Sequence, residues 1–219
     1  MPDTHKTSLT TEALCVEKEG DQGGGLRSVP PCLRGESPLA LATSCAGHCV
    51  FFDRDGIVNA SPGAGRYVTR WEDFHLLPEF VAALRVVRAH GYQAVIVTNQ
   101  RSVARGLVSA AEVEAMHRRL QDLLLKSYRL DLLDVAYCPH DVGQCDCRKP
   151  SPGMLKAMAL KHGLDLAASW MVGDAETDIE AGRRAGCRTI RVNGDEAVSK
   201  ADWRVAAMKN LPNLLERVL

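Results

Sequence analysis

Four residues within ten positions could ligate a metal: Cys138, His140, Cys145 and Cys147. They read C-x-H-x4-C-x-C, and Arg148-Lys149-Pro150 follows directly. Two short chelating pairs facing each other across a small loop suit a tetrahedral Zn2+ site. A site with four protein ligands is closed, so it would be structural and not hydrolytic. A disulfide beside a free thiol would be the other use of these groups, but two C-x-[HC] pairs at this density disfavour coincidence. An isolated Arg-Lys would usually be a solvated turn. Attached to a rigid metal loop, Arg148 and Lys149 become candidates for gripping an anion, arginine as a fork and lysine as a point charge.

Three further constellations carry oxygen and amide chemistry. Phe52-Asp53-Arg54-Asp55-Gly56 places two carboxylates two residues apart after an apolar run. Such a pair can divide the work, one as nucleophile and one moving protons. Both could also help hold Mg2+, which prefers carboxylate oxygens. An Asp-rich turn is the plain alternative. Val97-Thr98-Asn99-Gln100 offers a hydroxyl and amides to a phosphate, and a polar turn explains it equally well. In Gly173-Asp174-Ala175-Glu176-Thr177-Asp178, Asp174 is a candidate metal ligand and Asp178, a helical turn later, a support. Helix-start acids favoured by the dipole account for part of this run, Glu176 above all.

These residues need elements to hold them. Cys49–Phe52 reads as a buried strand ending at Asp53. Phe80, Val81, Leu84 and Val87 recur at helical spacing between Pro78 and Gly91. Residues 93–97 read as a strand, and Ser109-x-x-Glu112 is a capping box opening a helix with Val113, Met116, Leu120, Leu123 and Leu124 on one face. The pattern predicts strands over 132–137, 170–172 and 187–192, and helices over about 151–161, 176–185 and 211–219. Repeated β-α alternation predicts an α/β fold, a Rossmann-like, mostly parallel sheet with helices on both faces. Ligands in such sheets sit beyond the carboxyl ends of the strands. The residues there are Asp53, Thr98-Asn99, Cys138-Pro139-His140 and Gly173-Asp174.

The 219-residue chain has room for one domain with a core and an added segment. Residues 1–47, with Gly23-Gly24-Gly25 and Pro30-Pro31 and no apolar period, read as a flexible extension or a translated upstream region. Residues 48–219 form the expected domain. Equal numbers of basic and acidic residues, 27 each, give no global case for nucleic acid or an anionic membrane. No apolar run is long enough to span a bilayer, and no secretory signal is evident. With that, eight cysteines fit a reducing cytoplasm where thiolates bind metal.

The order Asp-x-Asp-Gly, strand-Thr-Asn, Lys149 and Gly-Asp-x-x-x-Asp resembles the haloacid dehalogenase-like phosphohydrolases over about residues 48–219. The cluster Cys-Pro-His…Cys-Asp-Cys-Arg-Lys-Pro is similar to the branch that contains the heptose-bisphosphate and histidinol-phosphate phosphatases. Thr98-Asn99-Gln100 with Ala104-Arg105-Gly106, and Tyr67-Val68 before Phe74 and Pro78, are nearer the heptose enzymes. The resemblance implies that Asp53 attacks phosphorus and that Asp55 exchanges the proton. It implies Mg2+ on the Asp53 and Asp174 carboxylates and the Asp55 carbonyl. Thr98 and Lys149 would neutralise the phosphoryl group, and Asn99, Gln100, Arg101, Arg105 and Arg148 would belong to the substrate-facing set. A small cap would span the Gly56–Phe74 connection.

Some positions depart from the family pattern. Ile57 replaces a threonine, Arg101-Ser102 replaces Ser-Gly, Leu107-Val108 replaces an aromatic, and three residues are inserted before Tyr67. Arg101 either adds an anion contact or obstructs the heptose pose. The expectation is a monomeric cytoplasmic Mg2+-dependent phosphomonoesterase for a small phosphorylated metabolite, with no nucleic acid or membrane partner. A heptose 1,7-bisphosphate is the leading substrate and histidinol phosphate the second. An inactive zinc-stabilised binding protein is the reading from another class, and Asp53, Asp55, Lys149 and Asp174 together argue against it.

Overall fold

Short apolar runs such as Cys-Val-Phe-Phe and Trp-Met-Val bury both of their faces, as central strands of a parallel sheet must. The computed structural model describes residues 47–193 and 199–219. The expected extension therefore lies, except for Gly47, outside the described residues. Six strands form one sheet: β1 (Cys49–Phe52), β2 (Gln93–Asn99), β3 (Asp134–Cys138), β4 (Trp170–Gly173), β5 (Arg188–Val192) and β6 (Trp203–Val205). Their order is β3-β2-β1-β4-β5-β6, and all five pairings are parallel.

The helices are α1 (Pro78–Ala89), the single turn α2 (Arg101–Ala104), α3 (Ala110–Leu123), α4 (Gly153–His162), α5 (Glu176–Ala185) and α6 (Leu211–Val218). Pro78 starts α1 at a position that needs no N–H. Ser109 and Glu112 close a reciprocal capping box on α3. Two apolar clusters fill the two sides of the sheet. Val50, Phe52, Ala94, Ile96, Trp170 and Val172 point to one, with Phe80 and Leu84 of α1, Leu120 of α3 and Leu215 of α6. Cys49, Phe51, Val95, Val97 and Met171 point to the other, with Leu155 of α4 and Ala181 of α5. The alternation along each strand is the period-2 rule at work. Each fully buried Val, Leu, Ile, Phe or Met among them contributes about 1.5–3 kcal/mol.

Boundaries moved where pairing overruled local pattern. β2 runs on through Thr98 and Asn99 because these residues pair with Tyr137 and Cys138. β3 starts at Asp134, where its pairing with β2 begins opposite Val95. β6 and α2 lie outside the expected elements; β6 is a three-residue edge strand too short for a periodicity signal. The Gly56–Phe74 connection holds only a turn of 3-10 helix at Trp71–Asp73 and isolated bridges of Asn59, so the cap is minimal. Among the described residues, no helix is long and apolar enough to cross a membrane.

Candidate active site

The chain leaves β1 toward β2 on one side, and later leaves β4 toward β5 on the other. Loops after β1 and β4 therefore diverge, opening a crevice at the topological switch point. Asp53 follows β1 and Asp174 follows β4, so the crevice is lined by carboxylates from its first residues. Lys149 enters from the loop before α4 and is buried. Its Nζ donates to Asp53 Oδ1 at 2.6 Å and to the Val97 carbonyl at 2.7 Å, and lies 2.7 Å from Asp178 Oδ1. Three segments distant in sequence meet on one ammonium.

The polar residues at the end of β2 hold this arrangement. The Asn99 side chain accepts from the Lys149 N–H and donates to the Lys149 carbonyl, both at 3.0 Å. Its amide thus mimics a strand partner and fixes the lysine backbone. Gln100 Nε2 donates to Thr98 Oγ1 at 2.8 Å and to Asp55 Oδ2 at 3.3 Å. The Asp55 carboxylate also accepts from Arg54 Nη2, at 2.8 and 3.0 Å, and from Asn59 Nδ2 at 2.9 Å. Gly56 has φ +92°, and a Cβ there would lie 2.1 Å from Asp174 Oδ2. The turn after Asp55 can approach Asp174 this closely only without a side chain. Gly173 is constrained likewise, since a Cβ would meet Asp178 Cβ at 2.3 Å and push it off Lys149.

Charge balance defines what the crevice can hold. Oxygens of Asp53, Asp174 and Asp178 lie within 4.8 Å of one another. Burial, reinforced by Asp178, pushes the Asp53 carboxyl up to about 7 against the pull of Lys149. Burial and Asp178 push Asp174 up to about 6, with Arg191 pulling the other way. Burial by itself would lower Lys149, but Asp178 and Asp53 outweigh it and hold the ammonium above the ordinary lysine value. Three carboxylates against one lysine leave negative charge for a cation to balance, and an all-oxygen donor set suits a hard divalent ion.

The Cys138, His140, Cys145 and Cys147 group lies at the end of β3 and in the loop after it. Its Sγ–Sγ separations are 3.5, 3.3 and 3.1 Å, and His140 Nδ1 lies 3.6 Å from Cys138 Sγ and 3.4 Å from Cys147 Sγ. A tetrahedron with metal–sulfur bonds near ~2.3 Å has edges only slightly longer. All three thiols are free. Burial and the neighbouring sulfurs push the Cys147 thiol up, so a cluster of thiolates needs a cation among them. Sulfur with imidazole fits zinc. The loop is seated on the start of α4: a Cβ on Gly153 would meet the Asp146 carbonyl at 2.3 Å and Cys147 Cα at 2.9 Å.

A family model described as HAD-hydrolase-like matches residues 146–211. D-glycero-beta-D-manno-heptose-1,7-bisphosphate 7-phosphatase of Rhodopseudomonas palustris is 37% identical over 155 residues, 67% of this chain and 83% of that protein. The chain belongs to the haloacid dehalogenase-like phosphohydrolases. Its enzyme class is phosphoric monoester hydrolase. D-glycero-alpha-D-manno-heptose-1,7-bisphosphate 7-phosphatase of Photorhabdus laumondii is 37% identical over 147 residues, 62% of this chain and 76% of that protein. The crystal structure of D,D-heptose 1,7-bisphosphate phosphatase from B. bronchiseptica, complexed with magnesium and phosphate, superimposes with a TM-score of 0.69. It is 27% identical and covers 78% of this chain and 99% of that one.

Within this phosphohydrolase, the structure gathers Asp53, Asp55, Thr98, Lys149, Asp174 and Asp178 at the crevice. The Asn99 amide is spent on the Lys149 backbone, and the Gln100 amide on Thr98 and Asp55. Arg101 pairs with Asp141 of the cysteine loop, at 2.5 and 3.1 Å, tying α2 to that loop. Arg105 lies over the Tyr67 ring, 5.8 Å from its centroid. Arg148 donates to the His140 carbonyl at 3.2 Å, within the loop that carries it. Of the departures, Ile57 is wholly buried in the core, while nothing in the structure explains Ser102, whose buried hydroxyl has no partner. The sequence reading gave no role to Arg54, Asn59 or His117. His117 did leave a trace: it is a polar residue on the apolar face of α3, beside Met116 and one turn before Leu120.

Proposed function

We propose that this enzyme removes one phosphate from a heptose 1,7-bisphosphate by way of a phosphorylated aspartate. The observation that carries the reading is the convergence of Asp53, Asp174 and Asp178 on Lys149 at the switch point. An Asp53 carboxylate oxygen attacks phosphorus as the sugar–oxygen–phosphorus bond breaks. Asp55 gives its proton to the departing alkoxide. Water then attacks the aspartyl phosphate, Asp55 takes a proton from it, and inorganic phosphate leaves with Asp53 regenerated. Lys149 and Thr98 offset the charge of the transferring phosphoryl group. Mg2+, on the carboxylates of Asp53 and Asp174 and the Asp55 carbonyl, would screen the anionic nucleophile from the anionic substrate. Asp178 anchors the Lys149 ammonium, and its other oxygen accepts from the Ala175 N–H.

Zn2+ on Cys138, His140, Cys145 and Cys147 would be structural. It would fix the loop from which Lys149 and Arg148 project, with Arg148 and Arg105 near the mouth for the remainder of the substrate. A reducing cytoplasm fits the free thiols. The relatives carry names for both anomers, so the test covers both. Phosphate release is measured from α- and β-heptose 1,7-bisphosphate, histidinol phosphate and simple sugar phosphates. The highest kcat/KM is expected on one heptose anomer. No release from either anomer, with turnover of histidinol phosphate, would overturn the substrate assignment and leave the reaction class standing.

A further inference from the structure

The proton-exchanging carboxylate has an arginine as its neighbour in the chain, and that arginine is fully buried. Arg54 grips Asp55 through Nε at 3.2 Å and Nη2 at 2.8 and 3.0 Å. Both oxygens of Asp55 are therefore aimed by one planar fork, aided by Asn59 and Gln100. The fork itself needs a fixed orientation. Its other terminal nitrogen, Nη1, lies 3.5 Å from His117 Nε2, and the Phe74 ring lies 5.9 Å from its central carbon.

A guanidinium has five donors and no acceptor. His117 Nε2 must then offer a lone pair, which requires a neutral ring with its proton on Nδ1. The surroundings enforce this: burial, and after it the Arg54 charge, push the His117 pKa down to about 3. The ring is 4% exposed and stands edge-on to Tyr137, with centroids 5.7 Å apart. An apolar side chain would leave a buried N–H of Arg54 unpaired, and the guanidinium would turn in search of water. Asp55 would turn with it.

We propose that His117 of α3 is a positioning residue for catalysis: it holds Arg54, and through Arg54 it aims the Asp55 carboxylate at the leaving oxygen. The inference rests on the reading of Asp55 as the proton-exchanging group. The test exploits leaving groups. A sugar alkoxide must be protonated as it departs, whereas p-nitrophenolate leaves unaided. His117→Leu, His117→Gln and Asp55→Asn are compared with the unaltered enzyme by kcat/KM on the best sugar phosphate and on p-nitrophenyl phosphate. The ratio of the two values does not depend on how much of a variant is folded.

His117→Leu is expected to lose about tenfold on the sugar phosphate, part of the ~10²–10⁴ that a general acid contributes. Its loss on the aryl ester should be much smaller. His117→Gln should recover most of the difference, because its amide oxygen can accept from Arg54. Equal losses on both esters, or none, in His117→Leu would overturn the inference. If Asp55→Asn shows the leaving-group dependence and His117→Leu does not, only the role of His117 fails. If Asp55→Asn itself shows none, the reading of Asp55 fails and the inference falls with it.

Discussion

Lys149 and His117 are both buried titratable residues with opposite fates. Two carboxylates keep Lys149 charged, and an arginine helps keep His117 neutral. The second case has a consequence for stability. Unfolded, His117 takes a proton as pH falls through about 6.5; folded, it resists until about 3. Between those values the unfolded chain binds the extra proton, so stability is full above the upper value and declines as pH falls toward the lower. The slope from this one group reaches about 1.4 kcal/mol per pH unit. Urea unfolding of the unaltered protein and His117→Gln across that window should show the larger acid loss in the unaltered protein, and parallel curves would contradict it. At this scale the sequence showed the strand-end acids and Lys149, because each lies in a short motif. It hid the partnership of Arg54 with His117, because 63 positions separate them.

The cysteine loop and the start of helix α4 pack as one element. Gly153 begins α4 where Asp146 and Cys147 press against its Cα, and Ser151 Oγ donates to the Asp146 carbonyl. The Asn99 clamp then joins this unit to β2. A methyl group at residue 153 has to displace loop backbone, not a flexible side chain. Gly153→Ala should therefore release zinc to a chromogenic chelator faster than the unaltered protein and show lower phosphatase activity. Unchanged zinc release would mean that the loop is not braced by α4. About one zinc per chain is expected of the four-ligand site. The Cys138, His140, Cys145 and Cys147 cluster and the helix after it were readable from spacing. The seating of the loop on Gly153 and the Arg101–Asp141 tie were not, since they depend on where the loop folds back. The ends of β2 and β3 escaped the pattern for a similar reason: polar Thr98 and Asn99 look like the start of a loop until β3 pairs with them.

For the whole molecule, alternating strands and helices with buried apolar runs implied a parallel sheet covered on both faces, and the sheet has that form. Strand order was beyond any periodicity argument, because it is set by which crossovers pack best. That order matters to function: it puts β1 beside β4, and hence Asp53 beside Asp174. The cap is minimal, and two of the departures from the family pattern fall beside the crevice, in the segment before Tyr67 and at the turn α2. Arg101, held by Asp141, belongs to the second. If Asp53 is the phosphoryl acceptor, phosphate release on the best substrate of the panel should depend on it, and Asp53→Asn tests this. The variant should fold with its zinc in place and lose at least about a thousandfold in kcat, as expected when a covalent nucleophile is removed. A folded Asp53→Asn protein that releases phosphate at the rate of the unaltered enzyme would contradict the account.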